Sequence, residues 1–301
     1  MTKVSAMGLI EQLPQPILSA SAKIARHMPK TILGLRYYKW TGKRINWTNP
    51  DNLQEYVLAN LMAARQLPQT LQHYGDLADK IKVREFVKSK IGANAIPQLY
   101  GTWDNANNID WSRLPDKFVM KTNNGCGTNI IVRNKKELNI EKAKRQLHKW
   151  LRLPYGDLTG QIHYSKIQPQ ILAEELLENP ACPAQQPQDY KIFCFNGTPR
   201  FILYYEDRKV NGHVTPNMAF DIDWKPLQDI VLRPIGHNIP APASLQQMID
   251  AAKRLSQDLT FARIDFYDIE GRMYFGEITL TPDVRLYFTP QFLKESICNL
   301  Q

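Results

Sequence analysis

The spacing of apolar residues changes period several times along the chain, and each change marks an element. Over Asp116–Arg133 the order DKFVMKTNNGCGTNIIVR runs from a short apolar stretch ending in Lys121, through small polar residues at Thr122–Asn129, to a β-branched run at Ile130–Val132. Two such runs around a glycine-containing loop predict a hairpin. Alternation predicts a half-buried strand at Asp189–Asn196, which Gly197-Thr198-Pro199 turns into Arg200–Tyr205. Phe261–Tyr267 and Met273–Ile278 predict a third hairpin around the turn Asp268–Gly271. Gln168–Glu174 reads as an apolar strand running into two acids, Glu174 and Glu175, and Pro180–Gln188 as a proline-rich loop. Helical spacing covers Leu53–Gln66 after the cap signal Asn49–Asn52, then Ile140–Leu151 and Leu245–Leu259. It also covers Asp76–Ile91, with Ile81, Val83, Phe86, Val87 and Ile91 on the apolar side and Gly92 as the stop. Residues 1–45 carry short apolar groups between prolines, and no internal repeat appears.

With 301 residues the chain can bury a large core, as one domain with a lid or as two domains. Its 38 basic against 29 acidic residues give +9, which points to an anionic partner without choosing among nucleotide, acidic polymer, nucleic acid and membrane. Lys23, Arg26, Lys30, Arg36, Lys39, Lys43 and Arg44 cluster near the start. That basic segment reads either as a solvated packing arm of helices or as a contact for a membrane face or acidic polymer. The four cysteines, Cys126, Cys182, Cys194 and Cys298, have no C-x-x-C or ligand-like spacing, which argues against a disulfide scaffold or zinc site and for a reducing cytoplasm. No run approaches the ~18 apolar residues a membrane span needs, so a soluble protein is expected.

Two stretches carry candidate chemistry. Gly125 and Gly127 let backbone approach a ligand closely, and N–H groups of a turn can cradle phosphate oxygens, with the Lys121 ammonium beside them. An ordinary hairpin with a surface lysine fits the loop equally well. In the third hairpin Arg263 and Asp265 are two apart and share a face, and Glu277 ends the partner strand before Thr279 and Thr281. An Asp and a Glu on neighbouring strands can hold a hard cation such as magnesium through oxygen, and the arginine can stabilise a transferring phosphoryl group. A cross-strand salt-bridge set is the alternative.

Together these stretches resemble the ATP-grasp superfamily, most closely its TupA-like branch, which is linked with teichuronopeptide and other bacterial surface-polysaccharide synthesis. Asp79-Lys80 matches that family's first lysine, and Lys121 with the 122–129 loop matches its second lysine and phosphate loop. Glu174-Glu175-Leu176-Leu177 matches the adenine hinge, Arg263 and Asp265 the R-x-D motif, and Glu277 the terminal carboxylate. KRINWTNPDNLQEY at Lys43–Tyr56, FVMKTNNGCGTNIIV, DYKIFCFNGTPRFI, FDIDW at Phe220–Trp224 and FARIDFY with YFGEIT look like the TupA branch. Thr279 stands where many ATP-grasp enzymes carry Asn.

The resemblance implies an α+β ATP-grasp fold, a small α+β lid lobe on a larger sheet-and-helix lobe with a helical N-terminal extension. The expected divisions are 1–75 for the extension, 76–117 for a linker helix and the start of the core, 118–177 for the lid, and 178–301 for the C-terminal subdomain with the metal site. It implies ATP held by Lys80, Lys121 and Asn124, Gly125, Cys126, Gly127, Thr128 and Asn129, with Glu174 in the hinge. Backbone groups of Glu175 and Leu177 would read adenine, and Asp189 the ribose. Two magnesium ions, replaceable by manganese, would sit on Asp265, Glu277 and Thr279, with Arg263 catalytic. Asp207, Arg208, His213 and Arg285 are the substrate candidates. The implied reaction is ligation of an amine or amino acid to a carboxylate through an acylphosphate, the carboxylate being a uronic acid of an anionic glycan. Nucleic acid is not expected as a partner, and the cytoplasm, at the inner face of the membrane, is the expected location. A glycan-modifying phosphotransferase or glycosyltransferase on the same fold, and a non-catalytic polyanion-binding protein, are the rivals.

Overall fold

The computed structural model describes residues 14–179, 187–205 and 217–298. The chain divides into two compact units. The first comprises Met1–Arg44, Ala64–Val83 and Gln98–Leu176, and the second Ile45–Ala63, Arg84–Pro97 and Leu177–Gln301.

The first unit is built on a four-stranded antiparallel sheet of β1 (Leu99–Trp103), β2 (Phe118–Thr122), β3 (Asn129–Val132) and β4 (Ile171–Glu174), ordered β1-β4-β2-β3. Alternation sends Phe118 and Met120 to one face with Ile171 and Ala173. An amphipathic helix, Ile140–Leu151, lays Leu147 and Trp150 into that cluster, and the Asn139 side chain caps its start by accepting the Lys142 N–H at 2.9 Å. Lys121 and Glu174 fall on the opposite face of the sheet. Two helices near the start, α1 (Gln15–Ala25) and α2 (Pro29–Thr41), pack on the short helix Tyr155–Thr159.

The second unit holds a five-stranded antiparallel sheet, β5 (Asp189–Phe195), β6 (Thr198–Tyr205), β7 (Asn217–Asp221), β8 (Phe261–Ile269) and β9 (Arg272–Thr279), ordered β7-β6-β5-β8-β9. The helix Leu245–Ser256 covers one face with Met248, Ala251, Ala252 and Leu255. On the other face Phe193, Phe201, Phe261 and Phe288 form an aromatic cluster, with Phe193 stacked on Phe201 at 4.6 Å between ring centroids.

Two expectations meet a different arrangement. Residues 1–75 are not one module: Leu53 and Val57, on the helix Leu53–Ala64, sit inside the aromatic cluster of the second unit, and burying that helix face there draws Ile45–Ala63 with it. The helix expected over Asp76–Ile91 is two helices, Pro68–Ala78 and Val83–Ile91. Asp79 breaks it by leaving the helical region (φ −73°, ψ 111°) while its carboxylate accepts the Ile81 N–H at 2.8 Å. Aspartate competes with the helix through bonds of this kind, and it gains more by capping the second segment than by continuing the first.

Candidate active site

In the first unit the break at Asp79 places Lys80, and the consequence is chemical. Its ammonium donates to the Gly125 carbonyl at 2.6 Å, so the two stretches that sequence could only match separately, Lys80 and the 122–129 loop, meet in one place. The loop is pinned from inside. Asn123 accepts the Gln170 N–H at 2.7 Å and donates to Asp79 and to the Gln168 carbonyl, both at 3.0 Å. Asn124 donates to the carbonyls of Trp150 and Leu153, and Thr128 donates to the Thr122 carbonyl. The buried side chains of Asn124 and Thr128 therefore shape the loop, whereas Cys126, Gly127 and Asn129 are exposed. Gly127 has φ +72°, a left-handed conformation that suits glycine. Cys126 Sγ lies 3.2 Å from the Tyr164 hydroxyl.

On the same unit Lys121 and Glu174 form an ion pair at 2.5 Å, because β2 and β4 place them diagonally on one face. Glu175 is tied to the start of β1. Its N–H donates to the Gln98 carbonyl at 2.8 Å and its carboxylate accepts the Gln98 N–H at 3.1 Å, so of its backbone groups the N–H is engaged within the protein. Leu177 follows in a stretch without regular structure, in the second unit.

The charged cluster of the second unit follows from strand register. Lys191 on β5 pairs with Asp265 on β8, which pairs with Glu277 on β9, while Arg263 pairs with Thr279. Side chains two apart share a face, so Asp189, Lys191, Arg263, Asp265, Glu277 and Thr279 gather on one side of the sheet. Arg263 grips Asp265 with two bonds of 2.7 Å and reaches Glu277 at 2.7 Å and Thr279 at 2.9 Å. Lys191 donates to Asp265 at 2.6 Å and lies 3.6 Å from Asp189. Asp265 is 1% exposed, whereas the Glu277 side chain is 46% exposed at the edge of the cluster. Burial works against the charge on Arg263, but Asp265 and Glu277 outweigh it and hold the guanidinium pKa well above its ordinary value. The ammonium of Lys191 also sits 5.6 Å above the Tyr205 ring. Burial above all, with Tyr287 and Asp189 nearby, raises the pKa of the Tyr205 hydroxyl, which stays protonated.

A bulge sets this geometry. Asp265 pairs with Glu277 and Phe266 with Phe275, leaving Gly276 as the extra residue. A Cβ there would come within 3.0 Å of the Asp265 carbonyl oxygen and 3.2 Å of the Tyr267 ring.

The donors suit a hard divalent ion in type, since Asp265 and Glu277 are carboxylates facing each other across a strand pair. Among the described residues no group of three His, Cys, Asp or Glu side chains gathers to hold a metal, so water and phosphate would supply the remaining ligands, as magnesium prefers. The Thr279 hydroxyl donates to Glu277 at 2.8 Å and so supports that carboxylate. The salt-bridge set that sequence left as the alternative is also formed, by the same atoms. Arg285 pairs with Asp283 through bonds of 2.9 and 2.8 Å. Asp207, Arg208 and His213 lie outside the described residues.

Sequence reasoning missed Lys191. The signal was available: D-x-K at Asp189 and Lys191 repeats the two-residue spacing of R-x-D, and on adjacent strands such spacings stack.

The TupA-like ATP-grasp family model matches residues 59–298. This chain belongs to the TupA-like ATP-grasp family. The family's match takes in the Lys80 segment, the 122–129 loop, and the Arg263, Asp265 and Glu277 set. Comparison with the curated proteins gives no match. Among solved structures the chain is similar to an L-amino acid ligase from Bacillus licheniformis, at 14% identity and TM-score 0.49, covering 87% of this chain and 55% of that one. It is similar to a D-alanine–D-alanine ligase from Bacillus anthracis in complex with ATP, at 12% identity and TM-score 0.41, covering 74% and 60%. An N5-carboxyaminoimidazole ribonucleotide synthetase from Thermus thermophilus matches at 12% identity and TM-score 0.43, covering 75% and 52%. The chain thus spans little more than half the length of these structures.

Proposed function

We propose that this TupA-like ATP-grasp protein is an ATP-dependent ligase that joins an amine or amino acid to a carboxylate, the carboxylate being a uronic acid of a bacterial surface polysaccharide or of its precursor. The observation that carries the reading is the family match together with an intact set of the groups such a reaction needs. Lys80, Lys121 and the N–H groups around Gly125–Gly127 would bind the polyphosphate. Asp265 and Glu277 would hold magnesium, which neutralises phosphate charge when bound. In the reaction, a carboxylate oxygen of the substrate bonds to the γ-phosphorus as its bond to ADP breaks. The amine nitrogen then attacks the acyl carbon, expels phosphate and gives up a proton. Arg263, charged throughout, would steady the negative charge that develops on the transferring group. The net charge of +9 supports an acidic acceptor.

The test is an assay of ADP and phosphate release with magnesium against paired panels of uronic acids and amines, with products weighed by mass spectrometry. Release that requires both partners, with a product lighter by one water than their sum, is the expected result. A phosphorylated product formed without amine would instead make the protein a phosphotransferase. Calorimetry with ATP and magnesium should show binding that weakens in Lys121→Ala, and no binding at all would leave a polyanion-binding protein.

A further inference from the structure

The two helices α1 and α2 combine charge and apolar surface in a way that packing does not use. From Gln15 to Arg44 the chain has seven Lys and Arg residues and no Asp or Glu. The inward sides of the helices are accounted for. Leu18, Ala22, Leu33 and Tyr37 are buried, Arg26 pairs with Asp157 at 3.0 Å, and Arg36 donates to the Thr159 carbonyl at 2.8 Å.

The exposed apolar side chains are the unusual feature. Among the described residues twelve large hydrophobic side chains are exposed, and six of them fall within these helices and the short link between them. Trp40 is 70% exposed, Ile24 66% and Leu35 65%, and Ile17, Met28 and Tyr38 join them. Ile17 and Ile24, seven apart, share a stripe of α1, and Leu35 and Tyr38, three apart, share one on α2, while Trp40, seven on from the buried Leu33, stands exposed in the last turn of α2 on the other stripe. Single exposed hydrophobes are ordinary, but a concentrated group marks an interaction surface.

We propose that α1 and α2 dock the protein on an anionic membrane surface, lying in the interface. An acidic glycan would satisfy the cations and can stack a sugar face on Trp40, but it offers nothing to Ile17, Ile24 and Leu35. A bilayer interface satisfies both, taking tryptophan and tyrosine at the headgroup level and holding lysine and arginine against anionic lipids. The arm contains none of the groups assigned to ligation, so this inference stands apart from the ligase reading.

The experiment is co-sedimentation of the full chain, without nucleotide, with vesicles of phosphatidylcholine alone or mixed with phosphatidylglycerol. Binding should be at least about tenfold tighter to the anionic vesicles and should weaken with salt. The variant Lys39→Gln/Lys43→Gln/Arg44→Gln should lose roughly a hundredfold, since each cation near a charged surface is worth about fivefold. Leu35→Ser/Trp40→Ser should lose about tenfold or more. Brominated lipids should quench part of the tryptophan emission, and Trp40→Phe, which keeps the apolar surface, should abolish that part. Absence of binding to anionic vesicles would overturn the proposal, as would binding or quenching indifferent to Leu35, Trp40 and their variants. Retention on a soluble acidic polysaccharide, undiminished in Leu35→Ser, would assign the arm to glycan instead. Self-association that the same variant abolishes, with no vesicle binding, would assign it to a second copy of this chain.

Discussion

Replacing Lys191 with Met tests the charged cluster most directly, because that residue was found by register and not by motif. Methionine keeps an apolar stem over the Tyr205 ring and removes only the charge. The ammonium lies 2.6 Å from a carboxylate that is almost wholly buried. At an effective dielectric of ~20 that contact is worth about 6 kcal/mol before desolvation is subtracted. Breaking a buried pair from one side costs about 3–5 kcal/mol in practice. Arg263 still holds both Asp265 oxygens in the variant, which favours the lower end, about 3 kcal/mol. The cluster counts two cations against three carboxylates, a net charge of −1, and the variant leaves −2. Two readouts follow. Denaturant unfolding of Lys191→Met, Asp265→Asn and the double variant should give a coupling energy of about 2 kcal/mol or more. Magnesium should raise the melting temperature of Lys191→Met more than that of the wild type, since the variant presents more uncompensated negative charge to a divalent ion. A coupling near zero would mean that the pair does not hold in solution. A magnesium response equal to the wild type's would mean that Asp265 and Glu277 are structural partners of Arg263 and not ion ligands.

Three further outcomes are expected. Gly276→Ala should cost about 1–3 kcal/mol in a thermal melt, because its Cβ would press on the Asp265 carbonyl at 3.0 Å, and it should weaken ATP-dependent activity by displacing Asp265. Asn123→Ala should cost about 3 kcal/mol and open the 122–129 loop to limited proteolysis, since it strands the Gln170 N–H and the Gln168 carbonyl. His163 is 1% exposed, and burial lowers its pKa to about 3, so the folded protein keeps the ring neutral while the unfolded chain takes up a proton below its ordinary 6.5. Its contribution is complete above pH 6.5 and is lost as pH falls toward 3, by about 2 kcal/mol between pH 7 and pH 5; His163→Leu should flatten that part of the stability–pH profile measured by urea titration.

Much of the protein was determined by sequence alone, wherever information is local. The period-two alternation of DYKIFCFN and FARIDFY fixes a strand and the face of each side chain, and the helix Ile140–Leu151 follows from its apolar spacing. Lys80, the 122–129 loop, and Arg263 with Asp265 and Glu277 were legible as motifs, and their order sufficed to name the family. Tertiary structure decided what depends on partners far along the chain. Asp79 breaks a helix that its own neighbourhood favours because its carboxylate is also wanted by Asn123, 44 residues away. Leu53 and Val57 leave the N-terminal helices for the aromatic cluster because an amphipathic face specifies that it must be buried, not against what. Lys191 became part of the site only through the register of β5 on β8, since a two-residue spacing fixes a face within one strand, and only hydrogen-bonded pairing decides which residue of the next strand stands beside it.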